Sequence, residues 1–144
     1  MSYWLVILIG LIGGVAVGLQ SPISGAMGQR IGPAASSFII HLGGLIATTA
    51  LLLARGGEKI RAWPTVPWYM LIAGVFGLVL FLTINVTLPR LGGAMMVTLV
   101  IIGQLTMGII IDHFGLLGVT PRPVDLVRVA GMIVLVAGAY LISR

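Results

Sequence analysis

Four long stretches of this chain carry no charged side chain: Met1 to Gln29, Ile31 to Ala54, Ala62 to Pro89 and Leu91 to Ile111. A fifth apolar run, from Val129 to Ser143, is shorter. A helix needs about 20 mostly apolar residues to cross a hydrocarbon core. The pattern therefore predicts an all-α integral membrane protein with five transmembrane helices. Composition agrees: 59% of residues are hydrophobic and 8% are charged, against about 25% charged in a soluble domain. A soluble fold this apolar could not hide its surface.

The expected spans are about 3–29, 34–54, 68–88, 91–111 and 124–143, within a single transmembrane domain covering residues 1–144. The fifth reaches spanning length if it starts near Val124 and Arg128 snorkels to the interface. The first poses a choice. It could end near Leu19 and leave a long connection, or continue past Pro22 to about Gln29 and turn at Arg30-Ile31-Gly32-Pro33. Short connections are commoner, and Ile23, Ala26 and Met27 suit helical spacing, so the longer, kinked helix is favoured. Trp63, Trp68 and Tyr69, with Tyr3, Trp4 and Tyr140, suit interfacial anchoring.

Several function classes fall away. The net charge is +5, but the basic residues lie singly between apolar runs, without the clustered footprint of nucleic-acid binding. The chain has no cysteine, two histidines and three acids, with no metal-ligand spacing and no nucleophile–base pair. No metal, cofactor or enzymatic chemistry is expected. The N-terminus lacks a basic n-region, so the first apolar run reads as a retained helix.

The basic residues bear on topology instead. Arg55, Lys59, Arg61 and Arg122 fall on the side of the N-terminus, joined by Arg128 if it snorkels; Arg30, Arg90 and Arg144 fall opposite. The bias weakly favours a cytoplasmic N-terminus. So small a bias also permits insertion both ways and pairing with an inverted copy, since many transporters are two inverted repeats around a mid-membrane site.

Polar residues inside apolar runs are costly unless paired or facing water. Gln20 and Ser24 share a helical face, as do Ser37 and His41. Asn85 lies late in the third span, beside Thr83, and Gln104 lies mid-way along the fourth. These six residues, Thr83 excluded, are the candidate substrate contacts. Gln104 is poised between interhelical glue and substrate contact. His41 is either a proton carrier or, preferably, a neutral hydrogen-bond donor between helices. Thr48, Thr49, Thr98 and Thr106 are expected to bond their own helix.

Pro22, Gly14 and Gly18 are the candidate hinge, with Gly10 and Gly13 as further flexing points. Gly10, Gly14 and Gly18 form a stripe expected to pack within the chain. Ala130, Gly131, Ala137 and Gly138 on the terminal span are expected at a subunit contact. Asp112, a charge at the end of the fourth span, is expected to pair with Arg90 or Arg122. No acid lies in the middle of any span, which argues against a cationic drug as substrate.

Longer motifs carry a resemblance. Gln20-Ser-Pro-Ile-Ser-Gly-Ala-Met-Gly-Gln-Arg, Ser37-Phe38, Gly103-Gln104 and Ile111-Asp112-His113-Phe114-Gly115-Leu116-Leu117-Gly118 resemble the YdcZ-like family of the drug/metabolite transporter superfamily, over essentially the whole chain. The resemblance implies a half-size, five-helix unit of an inner-membrane exporter, working as a dimer that is antiparallel if built from one chain. Larger relatives look like two such units fused in inverted orientation. Two positions depart from the family: Ser24 stands where relatives tend to have Asn, and His41 where they tend to have a small residue. The small multidrug resistance proteins are a more distant comparison, and their first-span glutamate has no counterpart here. The expected partners are a small-molecule substrate, the bilayer, and a second copy or homologous subunit. The alternative is a non-transporting accessory subunit.

Overall fold

The computed structural model describes residues 2–142. Ser143, the expected end of the fifth span, and Arg144, counted in the charge balance, lie outside the described residues. Among those described, the elements are all helical: α1 (Tyr3–Ile31), α2 (Pro33–Ala54), α3 (Trp68–Leu71), α4 (Gly74–Phe114) and α5 (Leu126–Ile142), with short 3-10 turns at Ile60–Thr65 and Leu116–Gly118. Helices α1 and α2 are each long and apolar enough to cross a membrane, as is the stretch Trp68–Phe114. Helix α5 is a shorter apolar helix.

Helix α1 starts on the Ser2 hydroxyl, which accepts the Leu5 N–H. It then runs past Pro22 to Ile31. Proline removes one backbone donor and frees the carbonyl four residues back, here that of Gly18. The end is set by Gly32, whose φ of 91° and ψ of 151° lie in a region that glycine alone enters readily. Pro33 follows as the first residue of α2, where its missing N–H costs nothing. One residue thus joins two helices and brings their adjoining turns together.

The stretch Trp68–Phe114 holds 47 residues, about 70 Å of straight helix at 1.5 Å per residue. That is more than twice a hydrocarbon core of about 30 Å. It is not straight helix: Gly92 has φ 75° and ψ 167°, three residues after Pro89.

The described residues form two compact units that divide between Pro89 and Arg90. In the first, α1, α2 and the early part of α4 pack together. In the second, the later part of α4 is tied to α5 through the connection between them. Gly115 leaves the helix in the left-handed region at φ 61°. The Arg122 N–H donates to the Asp112 carbonyl at 2.7 Å, and the Val124 N–H donates to His113 Nδ1 at 3.1 Å. The Asp125 carboxylate accepts the Arg128 N–H at 2.8 Å, the bond that caps a helix N-terminus.

Few apolar side chains are covered. Phe81, Ile84, Met96 and Ala139 are the buried hydrophobic residues among those described, while most of the large aliphatic residues along α1 and α2 are exposed. Lipid is the natural cover for such faces.

Candidate functional site

The first unit buries polar side chains more completely than apolar ones. Ser24, Ser36 and Ser37 are at most 1% exposed, and Ser21 and Asn85 at most 5%. Spacing explains the assembly. Ser21, Ser24, Gly25 and Gly28 are the buried residues of α1, and steps of three and four place them on one helical face. Phe81, Ile84, Asn85 and Leu88 repeat the spacing on α4. The two faces meet where α1 has no side chain. A Cβ on Gly28 would overlap the Asn85 amide oxygen, and one on Gly25 would overlap the Leu88 side chain.

Hydrogen bonds fix the cluster. The Ser36 hydroxyl donates to the Ser24 carbonyl at 3.0 Å, linking α2 to α1. Gln29 Nε2 donates to the Asn85 carbonyl at 3.2 Å, linking α1 to α4. Asn85 Nδ2 donates to the Phe81 carbonyl at 2.7 Å. The Ser21 hydroxyl donates to the Val17 carbonyl at 2.8 Å. Two buried atoms have no hydrogen-bond partner: Ser24 Oγ and Asn85 Oδ1. They lie one turn apart along the α1 face, since Asn85 Oδ1 abuts Gly28 and Ser24 is four residues earlier. A buried polar atom left unpaired costs about 1–3 kcal/mol, so these two are the least satisfied polar groups of the cluster.

His41 sits at the edge of this cluster. Its Nδ1 is 2.7 Å from the Ser37 carbonyl. A carbonyl only accepts, so Nδ1 carries the proton and, in the neutral ring, Nε2 keeps the lone pair. Nε2 faces Gly77, where a Cβ would approach to 3.1 Å. The ring stands edge-on to Phe81 at 5.5 Å. The residue is otherwise exposed.

The six candidate contacts therefore separate. Ser24, Ser37 and Asn85 are buried in one unit; Gln20 and His41 belong to that unit but are exposed. Gln104 is exposed on the other unit. Thr48, Thr83, Thr98 and Thr106 each donate to the carbonyl four residues back. Sequence reading passes over Ser36 and Gln29, which tie the helices together. The α1 spacing of Ser21, Ser24, Gly25 and Gly28 was the signal available for that packed face.

Two expectations are corrected. Nothing approaches within 4 Å of a Cβ built on Gly10, Gly14 or Gly18. The packed small-residue stripe of α1 is the later one, because the neighbours meet α1 beside its link to α2. Asp112 pairs with Arg128 at 3.3 Å, rather than with Arg90 or Arg122. The connection doubles back, so Arg122 offers Asp112 its backbone N–H while Arg128, at the start of α5, offers its guanidinium. Of the residues expected at a subunit contact, Ala130, Gly131 and Ala137 are exposed and Gly138 is half-buried. No group of three or more His, Cys, Asp or Glu that could hold a metal occurs among the described residues.

Long apolar helices around buried, incompletely paired polar groups define a membrane-embedded protein with polar sites between its helices. Residues 5–141 match the family model described as "Putative inner membrane exporter, YdcZ", and the chain belongs to that family. That description is of a membrane exporter rather than an enzyme, and this chain resides in the inner membrane. No curated protein and no solved structure matches the chain.

Proposed function

We propose that the chain is half of an alternating-access exporter for a small polar or amphipathic metabolite, and that two halves enclose the path. In this reading α1 and α2 each cross the membrane once. The stretch Trp68–Phe114, interrupted at Gly92, crosses twice, and α5 crosses once. The odd number of crossings and the near balance of basic residues support pairing with an inverted second copy, or with a homologous subunit of opposite topology.

The observation that carries the reading is the pair of buried, unpartnered oxygens, Ser24 Oγ and Asn85 Oδ1. A chain this apolar gains nothing structural from leaving them unsatisfied. A substrate hydroxyl, amine or amide that reached them in one of the two access states would satisfy both. Gln20, Ser37, His41 and Gln104 are the further contacts proposed for the path. Pro22, with Gly14 and Gly18, supplies the flexible segment of α1. The free carbonyl and the uncovered glycines there leave it few contacts to break.

The test compares cells overproducing the wild-type chain with cells overproducing Asn85→Leu at matched membrane levels, by untargeted analysis of medium and cytoplasm. The expected result is one solute, or one chemical class, enriched in the medium only with the wild type. Reconstituted protein should then move that solute across liposomes unaided. If the two cell lines release the same solutes, the export reading fails.

A further inference from the structure

The second unit carries a feature that the export reading leaves unused. Leu105, Gly108, Ile109 and Asp112 of α4 face Arg128, Gly131, Met132 and Leu135 of α5 across an open cleft of about 460 Å³. Each set follows the spacing of one helical face. The two glycines leave the space between the walls unfilled: a Cβ on Gly108 or Gly131 would meet nothing within 4 Å. Four large apolar side chains line the length, and an ion pair closes the end beside the connection.

That ion pair is incompletely used. The Asp112 and Arg128 side chains are 33% and 29% exposed, so each retains an open side. Arg128 Nη1 donates to Asp112 Oδ2 and, at 3.4 Å, to the Arg122 carbonyl. A guanidinium has five donors in a fixed fork. Those on Nε and Nη2 make no hydrogen bond among the described residues, and neither does Asp112 Oδ1. The end of the cleft thus offers several cationic donors beside one anionic acceptor. Its complement is a ligand with an anion and an ammonium a few bonds apart, joined to an apolar chain.

We propose that this cleft binds an aminophospholipid of the surrounding bilayer, with the phosphate on Arg128, the ammonium on Asp112 and an acyl chain between α4 and α5. Charge complementarity selects the zwitterionic headgroup. The apolar, laterally open walls select a lipid over a soluble zwitterion. The helix-end position of the pair matches the depth at which headgroups lie.

The test uses purified full-length protein in detergent, titrated separately with phosphatidylethanolamine, phosphatidylglycerol and free phosphoethanolamine, and read by native mass spectrometry. Phosphatidylethanolamine is expected to bind at least about tenfold more tightly than phosphatidylglycerol, which has the phosphate but no ammonium. Asp112→Asn should erase that preference. Because Asp112→Asn also breaks the ion pair, Gly131→Leu provides an independent variant, filling the cleft from a position with open space around it. It should weaken phosphatidylethanolamine at least about tenfold, while Gly43→Leu, which also points into open space but on α2, should not. Equal binding of the two phospholipids overturns the proposal. So does wild-type binding by Gly131→Leu, or phosphoethanolamine binding as tightly as the intact lipid. Loss of a dimer mass in Gly131→Leu with lipid binding unchanged would assign the cleft to a second copy instead.

Discussion

Residue-scale packing in the first unit hinges on Gly28. Its missing side chain is the space that the Asn85 amide occupies. Gly28→Ala should therefore destabilise the protein by about 1–3 kcal/mol, the usual cost of overpacking. Gly14→Ala, with open space at the corresponding point, should not. Thermal melting of detergent-solubilised protein checks both, and combining Gly28→Ala with Asn85→Ala should recover much of the loss. If Gly28→Ala melts with the wild type, the close approach of α1 to α4 is wrong. The contrast also shows what could be read from the sequence. That Ser24, Ser37 and Asn85 would avoid lipid follows from the cost of polar groups in apolar spans. That Gly25 and Gly28 would be covered, and Gly10, Gly14 and Gly18 not, does not follow. Both glycine series have helical spacing, and spacing tells which residues share a face without telling which face meets a neighbour. Ser36 was missed for the same reason: only the turn at Gly32 decides that its hydroxyl, beside that of Ser37, reaches the Ser24 carbonyl.

At the scale of elements, breaks matter more than helices. Charge-free runs mark where helices lie, because each unpaired charge in lipid is costly. Arg90 marked a division near the middle of the long stretch, but the residue that interrupts the helix is Gly92. Proline and arginine are visible punctuation; a φ of 75° with ψ of 167° is written only as a glycine among many. Such a conformation costs a residue with a side chain about 1–3 kcal/mol. Gly92→Ala should accordingly lower the melting temperature and expose the segment around Pro89 to added protease. Gly103→Ala, on the same helix with open space around it, should do neither. Protease resistance of Gly92→Ala equal to that of the wild type would show that the helix can run through this point. The connection from Gly115 to Asp125 was equally hard to foresee. It is held by backbone donors of Arg122 and Val124 reaching Asp112 and His113, pairings between residues that no periodicity connects.

For the whole molecule, the open question of orientation turns on a few charges. On the proposed five-crossing topology, and with Arg128 held by Asp112, the sequence counts four basic residues for the side of the N-terminus, Arg55, Lys59, Arg61 and Arg122, against three for the other, Arg30, Arg90 and Arg144. A difference of one charge is within reach of single substitutions, because short loops near span ends set orientation. The absence of cysteine allows a clean reporter. Gly57 and Gly118 both sit at φ 81°, where a cysteine would be strained, so the exposed Thr65 is the better site. With Thr65→Cys alone, an antiparallel homodimer requires labelling from both faces of the membrane. Adding Ala62→Arg and Thr120→Arg should confine the label to the cytoplasmic face. Adding Ile31→Arg and Leu91→Arg should confine it to the opposite face. If the inverted pair is what closes the path, differently tagged forms of opposite orientation should then copurify, whereas two tagged copies of one orientation should not. Labelling of the unmodified background from one face alone would exclude self-pairing by inversion. The second half would then have to come from a different chain of opposite topology, and the same tagged forms would serve to capture it.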